Sequence, residues 1–184
     1  DVKIETMILH AKTVKTFAKK SLIVVDMPYR TYTSKSIAYK NANKVIKLTR
    51  CDAVKLEGGK KIAKIIKYLV DKGIPVMGHV GLLPQSSINF KLKGKSFSQR
   101  KNILQDAIAV SNAGAFAIVI ECVVESLAKK ITKSVSVPTI GIGASKYCDG
   151  QILVTDDMLG LSDFSPKFVK KYSSLKKIID KCVK

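Results

Sequence analysis

The short apolar runs of this chain are apolar on consecutive positions rather than alternate ones, with helical patterns between the first five runs and no hairpin signal anywhere. The runs are Ser21 to Asp26, Asp52 to Glu57, Ile74 to His79, Ala115 to Glu121, Val137 to Gly143 and a last short one over Gln151 to Val154. A strand that is apolar on both faces is buried on both, and such strands belong to parallel sheets covered by crossover helices. The helical patterns open with Met7, Ile8, Val14, Phe17 and Ala18 on one side, then cover Ser34 to Leu48 and Lys60 to Val70. They continue over Gln99 to Asn112, Glu125 to Lys133 and Phe168 to Val183. The spacing therefore predicts a single α/β domain over residues 1–184.

Two architectures fit that alternation, an open doubly wound sheet and a (β/α)₈ barrel of the TIM type. The open sheet would be favoured by a glycine-rich phosphate fingerprint after the first strand, and Asp26-Met27-Pro28-Tyr29 is not one. A barrel needs eight strands and typically about 250 residues. Here roughly six strands are read, the chain opens on a helix, and its first residue is Asp1 rather than Met. The expectation is a barrel that is incomplete in this chain, its first two βα units absent. Such an arc would carry two unpaired edges and would need a partner or a swapped segment to cover them.

Composition narrows the functional classes. Lys and Arg number 33 against 14 Asp and Glu, for a net charge of +19, which raises the question of nucleic acid. Only Arg30, Arg50 and Arg100 are arginines, Trp is absent, and the aromatics are not interleaved with the basic residues. Bidentate phosphate recognition and base stacking are thus poorly supplied. The lysines recur instead on the polar faces of the helical patterns, so no nucleic-acid partner is expected. No apolar stretch reaches the roughly 20 residues of a membrane span. Cys51, Cys122, Cys148 and Cys182 form no metal-type spacing and no signal-peptide pattern is read, so reduced thiols in a cytoplasmic protein are expected.

The chemistry is concentrated where the strands end. Asp26 closes the first run, Lys55 and Glu57 the second, His79 the third and Glu121 the fourth. In a parallel barrel these ends share one face, the face that carries active sites. Lys55 and Glu57 are two residues apart and so point to the same side of their strand. Asp26 and Glu57 offer hard oxygen ligands with no His or Cys pair nearby, a combination that suits Mg²⁺ better than Zn²⁺. Each residue also has a structural reading. Asp26 could cap a turn, Lys55 and Glu57 could form an ion pair, and His79 could be a hydrogen-bonded core histidine. Glu121 follows Ile118-Val119-Ile120 with no cap or turn to serve, the setting of a working base. Gly58-Gly59 and Gly141-Ile142-Gly143 could hold phosphate or could be simple turns.

At these residues the chain resembles the ketopantoate (3-methyl-2-oxobutanoate) hydroxymethyltransferase family. The resemblance runs in order through Val25-Asp26-Met27-Pro28-Tyr29, Lys55-Leu56-Glu57-Gly58-Gly59 and Gly78-His79-Val80-Gly81-Leu82 with Pro84-Gln85-Ser86. It continues through Glu121-Cys122-Val123, Gly141-Ile142-Gly143-Ala144, Asp149-Gly150-Gln151-Ile152-Leu153-Val154 and Pro166-Lys167-Phe168. The resemblance implies a (β/α)₈ barrel, often a decameric homo-oligomer, that makes ketopantoate for pantothenate and coenzyme A. It implies Mg²⁺ as metal and transfer of a one-carbon unit from methylenetetrahydrofolate to α-ketoisovalerate. By the same resemblance Asp26 and Glu57 are metal-site acids, with Asp26 also in the substrate site. Lys55 holds the keto acid, Glu121 removes its C3 proton, and His79 lies at the site. The family's upstream Gly-Asp-Ser segment, with a further metal-site aspartate, has no counterpart here. The loop from Asn89 to Lys95 is shorter than the family's, and Ser145 replaces a glycine. A catalytically impaired remnant that binds keto acid or assembles with intact subunits is the alternative expectation.

Overall fold

The computed structural model describes residues 2–183. Thirteen elements follow one another. They begin α1 (Ile4–Phe17), β1 (Val24–Asp26), α2 (Lys35–Thr49), β2 (Ala53–Glu57), α3 (Lys60–Asp71), β3 (Val76–Gly81) and α4 (Phe97–Asn112). They end β4 (Ala117–Glu121), α5 (Glu125–Ser134), β5 (Thr139–Ile142), β6 (Gly150–Gln151), α6 (Thr155–Leu159) and α7 (Leu175–Cys182). The six strands are parallel and lie in the order β1-β2-β3-β4-β5-β6, which is also chain order. A doubly wound sheet reverses direction at a switch point. This one never reverses, and it curls into an arc. β1 pairs only with β2, and β6 only with β5, among the described residues.

Local chemistry sets the helix ends. Ser34 and Ser96 cap α2 and α4, their hydroxyls accepting from the N–H groups of Ile37 and Gln99 at 3.3 Å. Helix α3 ends where Gly73 takes φ +77°. There Gly73 N–H donates to Val70 O at 2.9 Å and Ile74 N–H to Leu69 O at 3.0 Å, a Schellman closure. The α3 N-terminus is closed from a neighbouring helix, because Lys60 N–H donates to Asp106 Oδ1 of α4 at 2.9 Å.

The core lies between the convex face of the sheet and the helices. Val54, Leu56, Val76, Ile118 and Ile120 point to that side and are fully or almost fully buried against Val45, Ile66, Leu69, Val110, Leu127 and Ile131. Gly78 faces α4, where a Cβ would fall on Val110. The concave face is left for the alternate residues of each strand, and these build the site. No helix among the described residues is long and apolar enough to cross a membrane.

Three expectations are corrected. The last strand is Gly150–Gln151, not Gln151 to Val154: it pairs with Ile140 and Gly141 of β5, and the chain then turns into α6, whose N-cap is Val154. The last helix is Leu175–Cys182 and does not start at Phe168. Phe168 turns back onto Gly143, where a Cβ would strike its ring. Helix α1 buries Ile8 and Ala11, leaving Val14 and Phe17 exposed, since it packs mainly on α2 and only lightly on the sheet.

Candidate active site

The pleat decides what faces the concave side. In β2, Val54 and Leu56 go to the core, so Lys55 and Glu57 go to the cavity. The pairings Asp26↔Lys55 and Glu57↔His79 then bring three strand ends side by side, and Glu121 joins them from β4. The cavity they share is about 800 Å³. Its lower wall is apolar, formed by Val24, Met77, Val119, Ile140 and Ile142.

Lys55 is the hub. Its Nζ lies 2.7 Å from Asp26 Oδ2 and 3.8 Å from Glu57 Oε1. It also lies 3.2 Å from His79 Nδ1. An ammonium can only donate, so Nδ1 accepts and the neutral ring carries its proton on Nε2. That nitrogen sits 3.2 Å from Glu121 Oε2. The contact is close but not aligned for a hydrogen bond, which leaves Nε2 without a partner although His79 is only 2% exposed. Asp26, Lys55, His79 and Glu121 thus form a continuous polar chain across four strand ends.

Glu57 is the most enclosed carboxylate of the group, 8% exposed. Burial pushes its pKa above the ordinary carboxylate value, against the opposing pull of Lys55 and the Gln85 N–H. Tyr32, packed beneath it, is pushed up to about 12, chiefly by burial. Among the described residues no three His, Cys, Asp or Glu side chains converge as a metal cluster. The two carboxylates match Mg²⁺ in donor type, since that ion is commonly held by one or two carboxylates with water and substrate completing its shell.

All five residues singled out from the sequence therefore meet at one rim. Two more enter the same network, Tyr32 and Gln85. The Gln85 backbone N–H donates to Glu57 Oε2 at 3.1 Å, and its Nε2 donates to Asp26 Oδ1 at 3.3 Å and to Met27 O at 3.1 Å. Tyr32 Oη lies 3.2 Å from Gln85 Oε1 and accepts from the Glu57 N–H at 3.3 Å. Pro84-Gln85-Ser86 was visible as a motif, but nothing in its spacing ties it to acids 28 and 59 residues earlier. The two glycine pairs hold no phosphate cradle: a Cβ at Gly59 would fall on the Asp106 carboxylate, and the Gly141 and Gly143 positions are filled by Cys148, Gln151 and Phe168. The four cysteines form no disulfide.

Comparison with known proteins places this geometry. The family model for ketopantoate hydroxymethyltransferase matches residues 1–184. A 3-methyl-2-oxobutanoate hydroxymethyltransferase of Pelagibacter ubique (strain HTCC1062) is 57% identical over 179 residues, covering 97% of this chain and 70% of that protein. The protein of the same name from Anaplasma marginale (strain Florida) is 52% identical over 185 residues, covering 99% of this chain and 67% of its own. Among solved structures, 2,3-dimethylmalate lyase, a PEP mutase/isocitrate lyase superfamily member, aligns with TM-score 0.57 at 12% identity over 76% of this chain and 50% of that one, a likeness of fold alone. On the full-length family match and relatives more than half identical, this chain belongs to the ketopantoate hydroxymethyltransferase family of transferases.

Proposed function

We propose that this chain transfers a one-carbon unit from methylenetetrahydrofolate to α-ketoisovalerate, giving ketopantoate, with Mg²⁺ as metal. The observation that carries the reading is the meeting of Asp26, Lys55, Glu57, His79 and Glu121 at the mouth of a cavity with an apolar wall. The wall suits the branched aliphatic end of the keto acid and the charged rim its carboxylate and ketone. Asp26 and Glu57 are the side chains that would hold Mg²⁺, which when bound polarises the substrate carbonyl. Lys55 places fixed positive charge where the ketone oxygen becomes negative as the C3 proton leaves. Glu121 accepts that proton, with His79 Nε2 lying 3.2 Å from its carboxylate. C3 then forms its bond to the methylene carbon of the donor as the first of that carbon's two carbon–nitrogen bonds breaks. Water replaces the second, supplying the hydroxyl oxygen, and the two freed nitrogens take up the C3 proton and one proton of the water as tetrahydrofolate leaves.

The test is exchange of the C3 proton of α-ketoisovalerate in deuterated buffer, followed by NMR. Glu121→Gln is expected to keep its circular dichroism and to lose exchange by about 100-fold or more, from the lower end of the usual range for a general base upward. Unchanged exchange in that variant removes Glu121 from the mechanism.

The open edges of the sheet favour a second reading at the level of assembly. The arc would be part of an eight-stranded barrel whose remaining strands lie in further polypeptide or in another copy, and alone it would act as a binding remnant. Calorimetry with Mg²⁺ and α-ketoisovalerate separates the two, because binding without turnover supports the remnant.

A further inference from the structure

We propose that Gln85 is a positioning residue that sets the spacing of the Asp26–Glu57 carboxylate pair; the role given to that pair rests on the function proposed above. The two acids come from neighbouring strands and would repel one another if nothing stood between them. Their four oxygens are divided between two residues. Lys55 takes the inner ones, Asp26 Oδ2 and Glu57 Oε1. Gln85 takes the outer ones, Asp26 Oδ1 through its side-chain amide and Glu57 Oε2 through its backbone N–H.

The chemistry of the contacts fixes the amide orientation. Nε2 faces a carboxylate oxygen and the Met27 carbonyl, both acceptors, so only the NH₂ end can sit there. The Oε1 end then faces the Tyr32 hydroxyl. That hydroxyl accepts from the Glu57 N–H, and its single proton faces Gln85 Oε1 at 3.2 Å and the Glu57 carbonyl at 3.4 Å, the amide oxygen being the nearer acceptor. A flipped amide would set oxygen against two acceptors. Gln85 is thus held from both ends, and it in turn holds the two acids. A glutamate of the same shape could not do this, because it would place a third carboxylate against Asp26.

The experiment uses the whole chain and two readouts. In the metal-free protein, the ¹³C signals of the Asp26 and Glu57 carboxyls are identified through Asp26→Asn and Glu57→Gln. In Gln85→Ala and in the isosteric Gln85→Glu the Asp26 signal is expected to move most, and the Glu57 signal, whose bond is to the backbone N–H that both variants keep, to move less. Those of the remote Asp106 and Asp149 should stay put. Tyr32→Phe should move the Asp26 signal in the same sense by less. Stationary Asp26 and Glu57 signals in a folded variant overturn the proposal. The second readout is Mn²⁺ binding by electron paramagnetic resonance. A loss of about tenfold in affinity is expected for Gln85→Ala, as for other residues that orient metal ligands. The KM for α-ketoisovalerate should rise with it while kcat changes less. If the unaltered chain binds no Mn²⁺, the proposed function fails while the carboxyl signals still decide the role of Gln85.

Discussion

Gly59 and Gly73 bracket helix α3 and exclude side chains for different reasons. At Gly73 the surroundings are empty, with nothing within 4 Å of a built Cβ, but φ is +77°. Gly73→Ala is therefore a pure backbone penalty, about 1–2 kcal/mol. At Gly59 φ is −108°, and the obstacle is the Asp106 carboxylate that caps the helix. Gly59→Ala should displace that cap at a cost of about 1 kcal/mol. Urea unfolding of a double-mutant cycle tells them apart. In an Asp106→Ala background the Gly59→Ala penalty should largely vanish and the Gly73→Ala penalty should persist. Individual residues were unequally legible from the sequence. Gly73 is legible as the glycine that follows the apolar periodic run Lys60 to Val70. The cap at Gly59 did not, because its partner lies on another helix, and Gly-Gly before a helix invited a phosphate reading instead. Gln85 and Tyr32 escaped for the same reason, since their contacts are tertiary.

Among the elements, β5 and β6 show how a very short strand is kept in place. Asp149 accepts from Thr139 N–H at 2.8 Å and Thr139 Oγ1 at 2.9 Å, tying the connection before β6 back onto β5. Those bonds hold its pKa below the ordinary aspartate value, the backbone bond first among the causes. A carboxyl depressed in the folded state stabilises fully above its unfolded value of 3.8 and loses that contribution as pH falls through the folded one. Asp149→Asn should therefore be less stable than the parent at pH 6 and converge on it below about pH 3, read as urea midpoints. Parallel curves would show that the clip contributes nothing. Consecutive apolar positions marked the first five strands, and the strand ends marked the cavity rim, because burial on two faces leaves polar side chains only at the mouth. The boundaries in the last third were harder to read. Ile152 and Val154 have strand-like composition, yet after the Ile152 N–H bonds to Gly141 O the chain leaves β5 and Val154 becomes the N-cap of α6, and Phe168 packs on Gly143 instead of opening a helix.

For the whole molecule, the opposing influences are charge and edge. A net charge of +19 keeps copies apart, while the outer sides of β1 and β6 and the apolar residues beside them, Leu22 and Ile152, favour association. Light scattering should show a larger apparent mass at about 1 M salt, where the screening length falls to about 3 Å, than at low salt. Leu22→Lys with Ile152→Lys should suppress the rise. A mass independent of salt in the parent chain would mean that the edges are not adhesive. The strand order has a further consequence during synthesis. Each strand leaves the ribosome next to the one already released, so the nascent chain always has its template waiting and never needs to hold a segment in reserve for a later neighbour. The fold can grow in the direction of translation, each new strand joining the edge laid down before it.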